Sequence, residues 1–198
     1  MANVLNRATN LYLESVNTPD YDVSEWVINP DLSEVEGFAP YYWIINPDDT
    51  VSLMTESQRK DTDTWAPYFG SDLAAAYRIK ADEINAYRDV RLNSGWVYKG
   101  IRYDSDVVSR SNMTGIMTLI GTGYILPDSF TFRAQDNTDV PFDNASFTEF
   151  YQDSCIWANI VYKVSWMHKA NVKNLTTIPA IAAYDYSAGW PEGYSRGN

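Results

Sequence analysis

Phe147, Phe150, Ser154, Trp157, Val161, Val164 and His168 recur at alternating spacings of three and four residues. That spacing sets one side chain per turn on a single face of an α-helix, and a long helix with one apolar face must be covered by other elements. Asn144 stands where the N-cap of such a helix belongs. The repeat is heptad-like, but it lasts only about three heptads and its flanking positions carry little charge logic. It therefore reads as the core stripe of a helical hairpin.

The elements that can cover the stripe precede it. From Ser71 to Leu92, "SDLAAAYRIKADEINAYRDVRL" is alanine-rich, free of Gly and Pro, and opens on a Ser-Asp pair suited to capping. Leu73, Tyr77, Ile84, Tyr87 and Leu92 fall near one line along it, and Gly95 is placed to end it in a left-handed conformation. "GWVYKGIRYDSD" then alternates Trp96 and Tyr98 with Ile101 and Tyr103 around Lys99-Gly100, the pattern of a β-hairpin whose turn needs positive φ. Trp96 and Tyr103 are expected to fill the core. Asp104, Ser105 and Asp106 offer cap oxygens to a following helix, in which Val108, Ile116, Leu119 and Ile120 are expected to continue an apolar face up to Gly121 and Gly123. "SFTFRAQDNTDVPFD" reads as a strand pair turned at Asp136-Asn137, and Pro179 to Tyr184 as a last helical piece before an irregular tail.

Residues 1–70 have another texture. Two "NPD" turns, Asn29-Pro30-Asp31 and Asn46-Pro47-Asp48, separate short aromatic or β-branched runs. Proline presets φ, and Asn and Asp bond their own backbone, so each is a turn with a mechanism. Strands are predicted near Trp26–Ile28, Tyr42–Ile45 and Val51–Met54, followed by a short helix capped by Thr55. The fold class is α+β: a small N-terminal antiparallel sheet module over 1–70, expected to act as a docking element, then a helix, β-hairpin, helix, strand pair and long helix over 71–198 with an irregular C-terminal tail.

Charge and composition narrow the function. The net charge is −11, from 26 acidic against 15 basic residues, and the nearest thing to a basic run (Lys163, His168, Lys169, Lys173) is spread along a helix. A phosphate-backbone partner is therefore not expected. The single cysteine, Cys155, rules out an internal disulfide framework and a thiolate zinc site, and its apolar surroundings predict a buried, inert thiol. No run approaches a membrane span, and "MANVLNRATNLYLESV" lacks the apolar core of a secretory signal, so the chain reads as soluble and made in a reducing compartment. His168, the only histidine, lies on the apolar stripe, which favours a packed role over catalysis. Asp104 and Asp106 read as caps rather than calcium ligands, since no closing glutamate follows. No catalytic, metal-binding or cofactor-binding residue is assigned.

The order helix, "GWVYKGIRYDSDVVSRSNMTG", "FTFRAQDNTDVPFD", long helix, "IAAYDYSAGWP" resembles a domain of unknown function common in tail-fibre and other tail-associated structural proteins of tailed bacteriophages. The matching positions are Gly95, Gly100, Tyr103, Asp106, Ser109, Asn112, Asp136 and Gly189-Trp190-Pro191, within residues 72–192. Phe132 departs from the frequent tryptophan. The resemblance implies a non-enzymatic virion structural protein, made in the host bacterial cytoplasm and located in the tail. It implies partners among fibre, tailspike, baseplate or tail tube proteins, and self-association. An adaptor attaching a fibre or tailspike to the tail is the leading expectation. A receptor- or carbohydrate-binding module is the alternative, because aromatic residues make up 15% of the chain. Trp26, Tyr41, Tyr42, Trp43 and Trp190 are the expected interface residues, since large rings with a polar tip suit protein contacts.

Overall fold

The computed structural model describes residues 1–196. They fall into two compact units: residues 1–79 with 175–184, and residues 80–174 with the segment from Asp185 onward. The division between the units runs inside a helix, between Ile79 and Lys80.

The first unit opens with two strands absent from the sequence expectation, β1 (Ala2–Asn6) and β2 (Tyr12–Val16). With β3 (Trp26–Ile28) they form an antiparallel sheet ordered β2-β1-β3. Their joining turn is organised by Asn6, whose Oδ1 accepts from the Ala8 and Thr9 amides at 3.0 Å each. A second hairpin, β4 (Trp43–Ile45) and β5 (Val51–Leu53), turns at the second NPD, where the Asn46 amide donates to Thr50 O at 2.9 Å. Tyr42, expected in this strand, belongs instead to a 3-10 turn over Pro40–Tyr42. Proline at its start fixes φ and has no amide to offer a ladder. Leu5, Val27, Val35, Trp43 and Val51 form the core, with Tyr12, Leu32, Ile45 and Leu53 packed against it.

Thr55 caps α1 (Glu56–Asp63) in a reciprocal box with Gln58, as its position predicts. A 3-10 turn over Ala66–Tyr68 follows, and then α2 (Leu73–Asn93). The short helix α5 (Ile178–Ala182) also belongs to this unit and buries Ile181 and Ala182.

The second unit follows the predicted order. β6 (Trp96–Tyr98) and β7 (Ile101–Tyr103) pair antiparallel, and Lys99 and Gly100 take φ of 49° and 82° in the turn. Asp106, not Asp104, caps α3 (Val107–Gly121), accepting from the Val108 and Ser109 amides. Asp104 instead accepts from Gln135 Nε2 at 2.9 Å. After β8 (Thr131–Arg133) and β9 (Asp139–Pro141) comes α4 (Asn144–Lys173), 30 residues long.

The cap of α4 is Asp143, in a box with Ser146. Asn144 already has other work: its Oδ1 accepts from the Leu126 amide and its Nδ2 donates to Tyr124 O, both at 2.8 Å. The predicted stripe is buried at Phe147, Phe150, Ser154, Trp157, Val161 and His168. Beyond Val161 it passes through Ser165 and Val172, leaving Val164 half-buried. Trp96, Tyr98, Tyr103, Phe142, Phe147, Phe150 and Trp157 form an aromatic core, with Trp96 stacked 5.9 Å from Trp157 and Tyr103 edge-on to Phe150 at 4.7 Å. Burial pushes the Tyr103 hydroxyl pKa up to about 12.

Three side chains, Val108, Leu119 and Cys155, depart from expectation. α3 buries Met113, with Ile116 and Ile120 half-buried, whereas Val108 and Leu119 are 68% and 51% exposed. The covered stripe is thus 113, 116, 120, one residue per turn. Cys155 is exposed because it lies beside the stripe residues Ser154 and Trp157 rather than on their line. The tail is tied down: Gly193 bridges to Val97, and the Arg196 amide and Nε donate to fully buried Asp153 at 3.0 and 2.7 Å.

Candidate functional site

In the first unit, the expected interface aromatics divide between core and surface. Trp43 is 6% exposed, meets Tyr12 edge-on at 6.0 Å and donates from Nε1 to Phe38 O at 3.1 Å. It is turned into the core, covered by the strand β2 that the sequence reading lacked. Trp26 is half-buried and edge-on to Tyr21 at 4.9 Å. The Tyr42 hydroxyl donates to the Asp63 carboxylate, and this bond is the main reason its pKa is pushed up to about 12.

Tyr41 belongs to a cleft that short-range sequence reading does not reveal. Its ring lies 5.4 Å from Phe69 and 6.5 Å from Trp65, with Trp65 and Phe69 6.3 Å apart. All three are half-buried, while Tyr68 beneath them is 1% exposed. The turn Ala66–Tyr68 explains the grouping. Its hydrogen bonds, Tyr68 N to Trp65 O and Phe69 N to Ala66 O, fold residues 65 and 69 back toward each other. The cleft, about 470 Å³, is completed by the β1–β2 loop (Ala8 to Leu11), Met54, Gly70, Ser71, Ile178 and Pro179. The signal was the run "TWAPYFG", of which the sequence reading took only the first two residues, as the end of a short helix.

The second unit places the remaining candidates. Trp190 is 9% exposed, stacks on His168 at 5.6 Å and donates from Nε1 to Tyr186 O at 2.6 Å. His168 Nε2 meets Ala188 O at 3.0 Å. Both rings therefore hold the C-terminal segment in place. Gly95 is buried, Asn112 is exposed on α3, Gly100 takes positive φ in the β6–β7 turn, and Trp96 and Tyr103 are buried.

The outer face of α4 carries Ile156, Tyr162, Trp166 and Met167, all exposed; Trp166 is 54% and Met167 49% open to solvent. Tyr162 and Trp166, one turn apart, have ring centroids 6.4 Å from each other, and the Arg88 guanidinium lies 5.0 Å over the Tyr162 ring. Here too the sequence reading stopped short, because it followed only the stronger stripe of the helix.

Among the described residues no group of three or more His, Cys, Asp or Glu side chains is arranged to hold a metal ion, and no helix is long and apolar enough to cross a membrane. The molecule is thus an α+β protein with an uncharged aromatic cleft in one unit and an exposed apolar helix face in the other. The model of a Domain of unknown function (DUF4376) matches residues 75–188, more than half of the chain, and the protein belongs to that family. No curated protein and no solved structure matches it.

Proposed function

We propose that this protein is a non-enzymatic structural component of a tailed-bacteriophage virion, an adaptor that attaches a fibre or tailspike to the tail or baseplate. The observation that carries the proposal is the outer face of α4. A helix that buries one stripe completely and still presents Ile156, Tyr162, Trp166 and Met167 to solvent has a second apolar surface, and such surfaces mark sites of association. The motif order from Gly95 to Pro191, which resembles tail-associated domains, supplies the biological setting. The partners are other tail proteins, together with further copies of this chain, made in the host cytoplasm and assembled into the virion tail.

The test is peptide mass spectrometry of purified particles combined with antibody labelling under the electron microscope. The chain is expected in particles, with label on the tail. Its absence from particles removes the proposal. Where label is found, a Trp166→Glu, Met167→Glu double variant is expected to fold and to be missing from assembled tails. Its normal incorporation would show that another surface makes the joint.

A further inference from the structure

We propose that the aromatic cleft of the first unit is a binding site for an uncharged carbohydrate, one or two pyranose rings in size. The proposal does not depend on the adaptor reading, which rests on α4.

Charge selects the class of ligand first. Charged residues make up 21% of the chain, yet the residues lining the cleft include no Asp, Glu, Lys, Arg or His. An ionised ligand would lose water there without meeting a counter-charge, which is strongly unfavourable. The occupant is therefore neutral. The volume of the cleft, about 470 Å³, lies in the lower part of the range of about 300–1,000 Å³ typical of small-ligand sites.

Shape and chemistry select further. Tyr41, Trp65 and Phe69 meet one another at tilted or edge-on angles of 35–66°, and each remains partly open. Aromatic faces carry negative quadrupole density and attract polarised C–H groups. Ser71 brings a hydroxyl to the same cleft and Asn10 its amide oxygen, while the Thr9 hydroxyl donates to Asn6 Oδ1 and the Asn10 Nδ2 holds the loop. A body with an apolar C–H face and a hydroxylated edge satisfies both halves of this lining, and a pyranose is such a body. A purely hydrocarbon ligand would leave the Ser71 hydroxyl and the Asn10 amide oxygen unmatched.

The site is also preformed. Asn10, at φ 54°, donates from Nδ2 to Pro40 O and Trp43 O at 3.1 and 2.7 Å, which fixes the β1–β2 loop against the segment carrying Tyr41. The backbone turn under Trp65 and Phe69 fixes the other wall. Little ordering is required on binding, so weak stacking contacts are not cancelled by lost entropy.

The experiment screens the full chain against an array of neutral and acidic oligosaccharides, followed by saturation-transfer NMR with the best neutral disaccharide. Neutral glycans are expected to bind, with magnetisation transferred to ring C–H protons, and Trp65→Ala is expected to weaken binding at least tenfold. Because Trp65→Ala also removes packing against Tyr41 and Phe69, Ala8→Trp tests the same point from an exposed loop position that lines the cleft. It is expected to block binding with the melting temperature unchanged, and Trp166→Ala on α4 is expected to leave binding intact. Absence of neutral glycan binding at millimolar concentration, binding confined to acidic glycans, or binding that survives Ala8→Trp would each overturn the proposal.

Discussion

Gly95 and Gly100 look equivalent in the sequence, each beginning or turning a hairpin, but the backbone treats them differently. Both take positive φ, 92° and 82°, so either replacement by alanine meets the left-handed penalty of about 1–2 kcal/mol. At Gly100 a new Cβ would find open space, whereas at Gly95 it would come 2.9 Å from the Tyr103 carbonyl oxygen and 3.0 Å from Gln135 Nε2. The carbonyl lies in the ladder of β7 beneath a packed aromatic core and has little room to yield. Chemical denaturation is therefore expected to show Gly100→Ala down by about 1–2 kcal/mol, the penalty of the turn alone. Gly95→Ala is expected to be clearly worse, with β6 displaced. Equal losses for the two would mean that the approach of Gly95 to Tyr103 is not a constraint.

At the scale of elements, capping carboxylates give the second unit a pH dependence whose sign is set by their partners. Asp106 is held below the usual carboxylate range chiefly by the Ser109 hydroxyl, which donates to it at 2.8 Å, and Asp143 chiefly by the Ser146 hydroxyl and amide. A folded-state pKa below the unfolded one means that the stabilisation is present above the unfolded carboxylate value, about 3.9, and is lost as pH falls through the lower folded value. Asp143→Asn retains an acceptor for the helix N-terminus but no charge. Melting temperatures recorded from pH 6 to pH 2.5 are expected to fall less steeply with acid in this variant than in the parent, and an unchanged slope would show that the cap does not titrate with folding. The same elements show what was legible in the sequence. α2, the β6–β7 hairpin, α3 and α4 each carry a periodicity longer than a few residues together with a cap or turn residue, and all four appear in order. β1 and β2 were missed because local irregularity hides their alternation: the pairing shifts register between Ala2 and Val4, and Ser15 takes φ of 57° within β2. The cleft was hidden for another reason. Tyr41, Trp65 and Phe69 belong to segments brought together only by tertiary packing, and no spacing rule connects residue 41 to 65.

For the whole molecule, the decisive point is that the first unit is not continuous in sequence. It takes residues 1–79 and also 175–184, so a cut at residue 70, natural from composition alone, removes most of a unit and leaves a remnant of it behind. That remnant includes Ile181 and Ala182, which are 2% and 6% exposed in the intact chain and belong to a helix of only five residues. Isolated helices that short do not hold together in water, because nucleation outweighs the few hydrogen bonds formed. In a fragment of residues 71–198 the amides of Ile181 and Ala183, which bond to Thr177 O and Pro179 O in the full chain, are therefore expected to lose their hydrogen-exchange protection by at least tenfold. Amides in the middle of α4, near Trp157 and Val161, lie in the core of the second unit and are expected to keep theirs. Protection retained at Ile181 would mean that α5 draws its stability from elsewhere than residues 1–70. Loss at both places would mean that the second unit cannot fold without the first. The expected pattern also governs how the expectation that residues 1–70 form a docking element is to be tested. A fragment that fails to join its partner has lost packing as well as any contact surface, so a single substitution in the intact chain, at half-buried Trp26, separates the two where truncation cannot.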